Sequence, residues 1–181
     1  MSATTRLRRS VSVLSGELGT DLSVLWRRIE RAADAGTALH DILPALIEQY
    51  GAAAATLAAG WYDDLRAKRE IGGRFAATPA EIPDVGAHAL VGWALDTATD
   101  YPNFQTLILG GAQRRIANFS RLTVMQSSIR DPKAAGWMRV GDGHSCEFCS
   151  MLLGRGAVYT EASADFPAHD HCGCSAEPEW T

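Results

Sequence analysis

The first 145 residues of this chain contain no cysteine, although the full sequence of 181 residues has four. The sequence also lacks the run of about 20 apolar residues that a membrane-spanning helix requires. A secretory signal is missing as well, because the apolar stretch Val11–Leu14 is short and interrupted by serine. These absences predict a protein made in the cytosol, where thiols stay reduced and clustered cysteines indicate metal or redox chemistry.

Excess positive charge and familiar catalytic motifs are also absent. The formal net charge of -4 disfavours binding to nucleic acid or to an anionic membrane over the whole surface. A local basic surface stays open as a hypothesis at Arg6, Arg8 and Arg9, although a solvated helix face is the simpler interpretation. Glycine-rich phosphate loops, G-x-S-x-G elbows and H-E-x-x-H motifs do not occur, so the sequence predicts no conventional active site.

What is present over the first two thirds is hydrophobic periodicity of the helical kind. The pattern predicts helices over 6–18, 21–33, 42–69, 85–97 and 104–129. It places a break at Gly19 and Thr20, and a helix start at Thr37. Three tryptophans fall on apolar helical faces and are predicted to be core, namely Trp26, Trp61 and Trp93. His40 and His88 are predicted to stand alone, and the arginines of the last long helix, including Arg121, to face solvent.

The character of the sequence changes after Pro132. The segments GWMRVGDGHSC and GRGAVYTEA are short, punctuated by glycine and β-like, and they supply too few apolar residues for an independent core. A unit of this size is usually stabilised by a metal or by disulfides. We therefore predict a mainly α protein with a helical body over 1–132 and a small β-rich zinc-knuckle module over 133–181.

All four cysteines lie within HSCEFCSMLLGRGAVYTEASADFPAHDHCGC, together with three of the five histidines. Cys146 and Cys149 form a C-x-x-C pair, and H-x-x-C-x-C follows with His169, Cys172 and Cys174. This spacing is typical of structural zinc bound by thiolates and imidazole. More ligands are available than the four positions around zinc, so the choice between Cys172 and Cys174 stays open. His171 is poorly suited, because two adjacent residues can hardly bind the same ion without strain.

Other chemistries remain open for these cysteines. A disulfide-stapled tail is one, and a redox C-x-x-C is another, although the surrounding βαβ pattern is missing. A catalytic Cys–His pair would need a thiol that binds no metal. A catalytic zinc would need an open position and a base, for which Glu161, Asp165 and Asp170 are the nearby carboxylates. A zinc deaminase is disfavoured, because neither H-x-E nor P-C-x-x-C occurs.

The order C-x-x-C, G-x-x-Y, P-x-H-x-x-C-x-C resembles the phage Mu F-like minor head proteins, especially their relatives in phages of actinobacteria. The stretch DILPALIEQYGAAAATLAAGWYDDLRA also looks like the actinophage versions. Gly173 departs from the C-R-C that the family commonly carries, and no appended toxin or protease follows the motif. The matching positions are Cys146, Cys149, Gly156, Tyr159, Pro167, His169, Cys172, Cys174 and Pro178.

The resemblance implies a minor capsid protein of low copy number that acts in head morphogenesis and DNA packaging or ejection. The implied partners are the portal protein, the major capsid protein and packaged DNA, with no membrane. The implied location is the capsid interior, after host cytoplasm during assembly. Some related proteins are described as capsid maturation proteases, so a protease or zinc-dependent hydrolase is the alternative, and a zinc-dependent DNA-binding protein is a third. We expect no enzymatic activity, because the sequence offers no credible Ser/His arrangement.

Overall fold

The computed structural model describes residues 2–143, 147–155, 159 and 166–180. Within this part of the chain, four long or medium helices precede a two-stranded antiparallel sheet, whose strands are separated by a short helix. The elements are α1 Ala3–Trp26, α2 Ala32–Lys68, α3 Ala87–Thr97, α4 Tyr101–Arg130, β1 Ala134–Val140, α5 Glu147–Leu153 and β2 Ser175–Trp180. The predicted mainly α fold with a small sheet near the C-terminus is confirmed.

The first two helices are longer than the sequence predicts. The break expected at Gly19 and Thr20 is wrong, because α1 runs through both residues and the Thr20 hydroxyl donates to the Gly16 carbonyl at 3.2 Å. Thr37 likewise caps nothing and lies inside α2. Leu18 and Leu22 are both fully buried, so one apolar stripe continues across the glycine. Tertiary packing of that stripe outweighs the weak local preference for a break.

The core lies around α2, which packs against α1, α3 and α4. Leu39, Leu43 and Ile47 on this helix are fully buried. An 18-residue window of α2, with a mean hydropathy of 1.2, is apolar enough by length and composition to cross a membrane. The same composition is expected of the central helix of a helical body, where the apolar side chains face three neighbouring helices.

Several side-chain expectations on the helices are wrong. Trp93 is 45% exposed rather than buried, whereas Trp26 and Trp61 pack against the core as partly buried residues. His40 and His88 do not stand alone: their Nδ1 atoms are 3.0 Å apart and their rings stack between α2 and α3. Neither difference alters the architecture, because both features lie at the surface of the body.

The sheet rests on the helical body. β1 and β2 pair antiparallel, with Trp137 opposite Pro178, and both strands contact α4. Trp137 and Trp180 belong to the same buried cluster as the helix side chains. Tyr159 adds an isolated bridge on the other side of β1, where its ring stacks on Trp137 with centroids 4.4 Å apart. The boundary near residue 132 falls where α4 gives way to the sheet, and the separate module over 133–181 stays a prediction.

Candidate metal centre

Two segments bring the candidate ligands together. Cys149 lies on α5, a helix of seven residues, and is 1% exposed. His169 and Cys172 lie in the loop that leads into β2, His169 exposed and Cys172 half-buried. The prediction from the sequence did not include a helix here, because seven residues are too short to show a helical period.

The distances within this group match the edges of a zinc tetrahedron. Cys149 Sγ lies 3.6 Å from His169 Nε2 and 3.8 Å from Cys172 Sγ. The three ligand atoms all lie within 4.8 Å of one another, so they could hold a metal ion. Tetrahedral zinc with Zn–S bonds of about 2.3 Å and Zn–N bonds of about 2.0 Å separates two sulfurs by about 3.8 Å, and sulfur from nitrogen by about 3.5 Å.

The imidazole of His169 is oriented for metal binding by its second nitrogen. Nδ1 lies 2.7 Å from the backbone carbonyl oxygen of Asp170. A carbonyl can only accept a hydrogen bond, so Nδ1 carries the proton. Nε2, the atom that faces Cys149, then presents its lone pair. A hydrogen bond of this kind typically fixes the tautomer and the ring plane of a metal-binding histidine.

Cys174 is buried beside the same thiols. The pKa of Cys172 is lowered to about 4, above all by a hydrogen bond from the Cys174 side chain and further by the charge of Arg121. The pKa of Cys174 is raised, because its thiol proton is held in the hydrogen bond to Cys172 and because it is buried. The shared hydrogen bond thus favours a thiolate within this pair of cysteines, and the thiolate is the form of cysteine that binds metal.

The other residues that the sequence suggested for the site do not lie in the described cluster of cysteines and histidine. Cys146, Glu161 and Asp165 lie outside the described residues. His171 turns towards α4, where its Nε2 would be 2.6 Å from a β-carbon at Gly110. Asp170 faces Arg114, whose Nε lies 3.2 Å from its Oδ1. The structure therefore brings Cys149, His169 and Cys172 together, with Cys174 adjacent, and the full ligand set stays a prediction.

The described cysteines do not form a disulfide. Cys149, Cys172 and Cys174 form no disulfide with one another, and the separation of 3.8 Å between Cys149 Sγ and Cys172 Sγ is far from the S–S bond length of about 2.0 Å. The stapled-tail alternative thus gains no support from this part of the chain.

Sequence reasoning missed the side chain that joins the ligand loop to α4. Arg121, expected to face solvent, is 3% exposed. Its NH2 group donates to the Cys172 carbonyl at 2.6 Å, and its Nε donates to the Cys174 carbonyl at 3.0 Å. The spacing along the helix could have predicted the burial of Arg121. It lies three residues before Val124 and seven before Ser128, both of which are buried, so all three lie on one helix face.

A family model described as VG15 protein matches residues 1–181, which is the whole chain. Neither the curated proteins nor the solved structures contain a significant match. The family match indicates a viral protein and is consistent with association with the virion, whereas the Mu F-like identity stays a prediction. The chain belongs to the VG15 protein family.

Proposed function

We propose that this protein is a structural component of a phage head, a minor capsid protein that acts in head morphogenesis. The observation that carries the proposal is the match of a viral protein family to the entire chain. The order of cysteine, histidine, glycine and proline residues at the C-terminus supports the more specific Mu F-like role. The protein would act as a helical body that carries a metal-bound segment, with no catalytic step of its own.

We propose zinc as the metal of the cluster. Thiolate and imidazole donors suit zinc, and their separations fit its tetrahedral geometry. Cys149, His169 and Cys172 would hold three positions, and Cys146 or Cys174 would supply the fourth. Zinc bound there would tie α5 to the loop before β2, so its role would be to stabilise a segment that has few apolar residues of its own.

Elemental analysis of the purified protein tests the metal. We expect about one zinc per chain. His169→Asn should lose the metal, because it removes a ligand, and Cys149→Ser should do the same. His171→Asn is the matched control: His171 has φ 60°, a backbone conformation that asparagine tolerates, and its ring points at Gly110. If His169→Asn and Cys149→Ser both retain full zinc occupancy, the proposed site is wrong.

The proposed partners are the portal protein and the major capsid protein. Several apolar side chains remain on the surface, including Trp93 on α3 and Phe148 and Met151 on α5. Exposed apolar side chains of this size can support protein–protein contacts. Density for the protein at the portal, inside the head in a virion reconstruction, would support the proposal. Heads that assemble, package DNA and infect normally without the protein would overturn it.

An enzymatic role is the competing proposal, and it has a direct test. A maturation protease should cut the capsid precursor at a specific bond, and a zinc hydrolase should lose that activity in Cys149→Ser. We expect no specific cleavage by the wild-type protein. A contact with packaged DNA would use exposed arginines such as Arg6 and Arg9. Such binding should weaken steeply as the salt concentration rises, because phosphate contacts release counterions.

A further inference from the structure

Two arginines are buried beside the candidate metal centre. Arg121 on α4 is 3% exposed, and Arg139 on β1 is 4% exposed. Both guanidinium groups lie against the ring of Phe166, at 5.0 Å and 3.8 Å from its centroid. Burial of a cation is costly unless an opposite charge and hydrogen bonds compensate for the lost water.

Carboxylates do not provide that compensation in the part of the chain that the structure describes. Neither Arg121 nor Arg139 forms an ion pair there. Among the described residues, Arg139 donates one hydrogen bond, to the Pro167 carbonyl at 2.7 Å, and its Nε and NH1 atoms have no partner there. Burial and the nearby charge of Arg139 lower the pKa of Arg121, and the charges of Cys172, Cys174 and Cys149 act in the opposite direction. Arg121 instead binds the backbone of two cysteines of the candidate site, Cys172 and Cys174.

Arg121 also fixes the backbone of the ligand loop. One guanidinium group binds the carbonyl oxygens of both Cys172 and Cys174, and its NH1 donates to Asn118 Oδ1 at 2.8 Å. Between these cysteines, Gly173 is packed against the Asp142 carboxylate so closely that a β-carbon would overlap it. The loop is thus held on one side by α4 and on the other by the segment that follows β1.

We propose that Arg121 is a positioning residue of the metal centre, which orients the Cys172–Cys174 loop and balances the negative charge of a thiolate-rich zinc site. The inference rests on the zinc site proposed above. Zinc with three thiolates and one imidazole has a net charge of about -1, and with four thiolates about -2. Arg139 contributes a second positive charge at the same place. Loss of Arg121 would remove one of the two buried cations beside the anionic centre, and it would release the loop from its anchor to α4.

Zinc affinity of the full chain tests the role of Arg121, measured by competition with a chromophoric chelator at fixed pH and salt. Arg121→Gln should bind zinc about 10- to 100-fold more weakly, as for other residues that orient metal ligands. Arg121→Lys should fall between, because lysine keeps the charge without the two-pronged hydrogen bonding. Arg115→Gln is the matched control: Arg115 lies on the same helix, but its guanidinium donates to the Val85, Gly86 and Gly111 carbonyls and not to a candidate ligand residue.

Cobalt substitution distinguishes a positioning role of Arg121 from a role in the packing of the fold alone. Arg121→Gln should change the thiolate-to-cobalt charge-transfer band, which a loss of packing elsewhere would leave unchanged, and Arg115→Gln should not. Equal zinc affinity of Arg121→Gln and wild type, with an unchanged cobalt spectrum, overturns this inference alone. A wild-type protein that binds no zinc overturns the proposed site as well. If Arg121→Gln does not fold, Arg121→Lys becomes the test. An Arg121→Lys protein with the zinc affinity and cobalt spectrum of the wild type would support the role of the positive charge, and it would refute the need for the paired hydrogen bonds.

Discussion

The indole Nε1 of Trp180 donates a hydrogen bond to Oδ2 of Asp131 at 2.9 Å. Asp131 caps the end of α4, and Trp180 is the last residue of β2, so this bond ties the C-terminal strand to the helical body. The same Oδ2 accepts from Arg66 Nε at 2.9 Å and Tyr62 Oη at 3.2 Å. Oδ1 accepts from the Lys133 amide at 3.0 Å. One buried carboxylate thus joins α2, the turn after α4 and β2.

Asp131→Asn should lower the free energy of unfolding by about 3 kcal/mol, because it leaves the buried Arg66 without its counter-charge. Urea unfolding followed by circular dichroism measures the change. Asp64→Asn, at an exposed position on the same helix as Arg66, should change stability by less than about 0.5 kcal/mol. Similar effects of the two substitutions would contradict the conclusion that the Asp131 carboxylate stabilises the contact between α2, α4 and β2.

The stability that Asp131 provides should disappear in acid. Burial alone would raise its pKa, but hydrogen bonds from Trp180, Arg66 and the Lys133 amide, with the charge of Arg66, bring it below the ordinary value. A lowered pKa in the folded state stabilises the protein above the unfolded pKa of about 3.9, and this contribution is lost as the pH falls through the folded value. The difference in unfolding free energy between wild type and Asp131→Asn should therefore be constant above about pH 5 and shrink below about pH 4. A difference that persists to about pH 2 would contradict this account.

Two glycines of α2 should respond to alanine with opposite signs. Gly51 lies under the buried ring of Phe119 on α4, where a β-carbon would overlap the ring, whereas nothing lies within 4 Å of a β-carbon at Gly60. Gly51→Ala should destabilise by about 1–3 kcal/mol, because the overlap outweighs the better helix propensity. Gly60→Ala should stabilise by about 0.5–1 kcal/mol. Thermal or urea unfolding distinguishes the two, and stabilisation by both substitutions would refute the close approach of α2 and α4.

The long helices could be predicted because their apolar stripes persist over several turns. Errors occurred where packing overrides a local signal, as at Gly19, whose flanking turns bury Leu18 and Leu22 on one continuous face. β2 was missed because its sequence, SAEPEW, contains proline and two acidic residues and has weak strand propensity. Its conformation depends on pairing with β1 and on the anchor at Trp180, and both are contacts with residues distant in sequence.

The proximity of cysteines and a histidine from these two segments could be predicted from their spacing, because metal sites confine these residue types to short turns. The sequence could not show which of the two histidines would face Cys149. His169 and His171 differ by two positions in the sequence, yet only His169 faces Cys149, since His171 lies over Gly110. Arg121 is 51 residues from Cys172, and no local pattern relates the two. Its role depends on how α4 crosses the loop, which only the folded structure defines.

Removal of the proposed zinc should loosen only part of the C-terminal segment. α5 has seven residues, too few to be stable alone, and Cys149 ties it to the loop. β2 has its own anchors, because Glu177 accepts from Thr4 and pairs with Arg69, while Trp180 binds Asp131. Chelation should therefore speed amide hydrogen exchange in 147–155 and 166–174, while 134–140 and 175–180 keep their protection.

Asp131→Asn should give the converse pattern in the same exchange experiment, with faster exchange in 175–180 and normal zinc content. The contrast arises because the carboxylate and the thiols hold different parts of the segment after Pro132. If chelation exposes β1 and β2 together with α5, then residues 133–181 form one unit that depends on the metal. That result would favour the separate zinc module predicted from the sequence and contradict the anchoring of the sheet by Asp131.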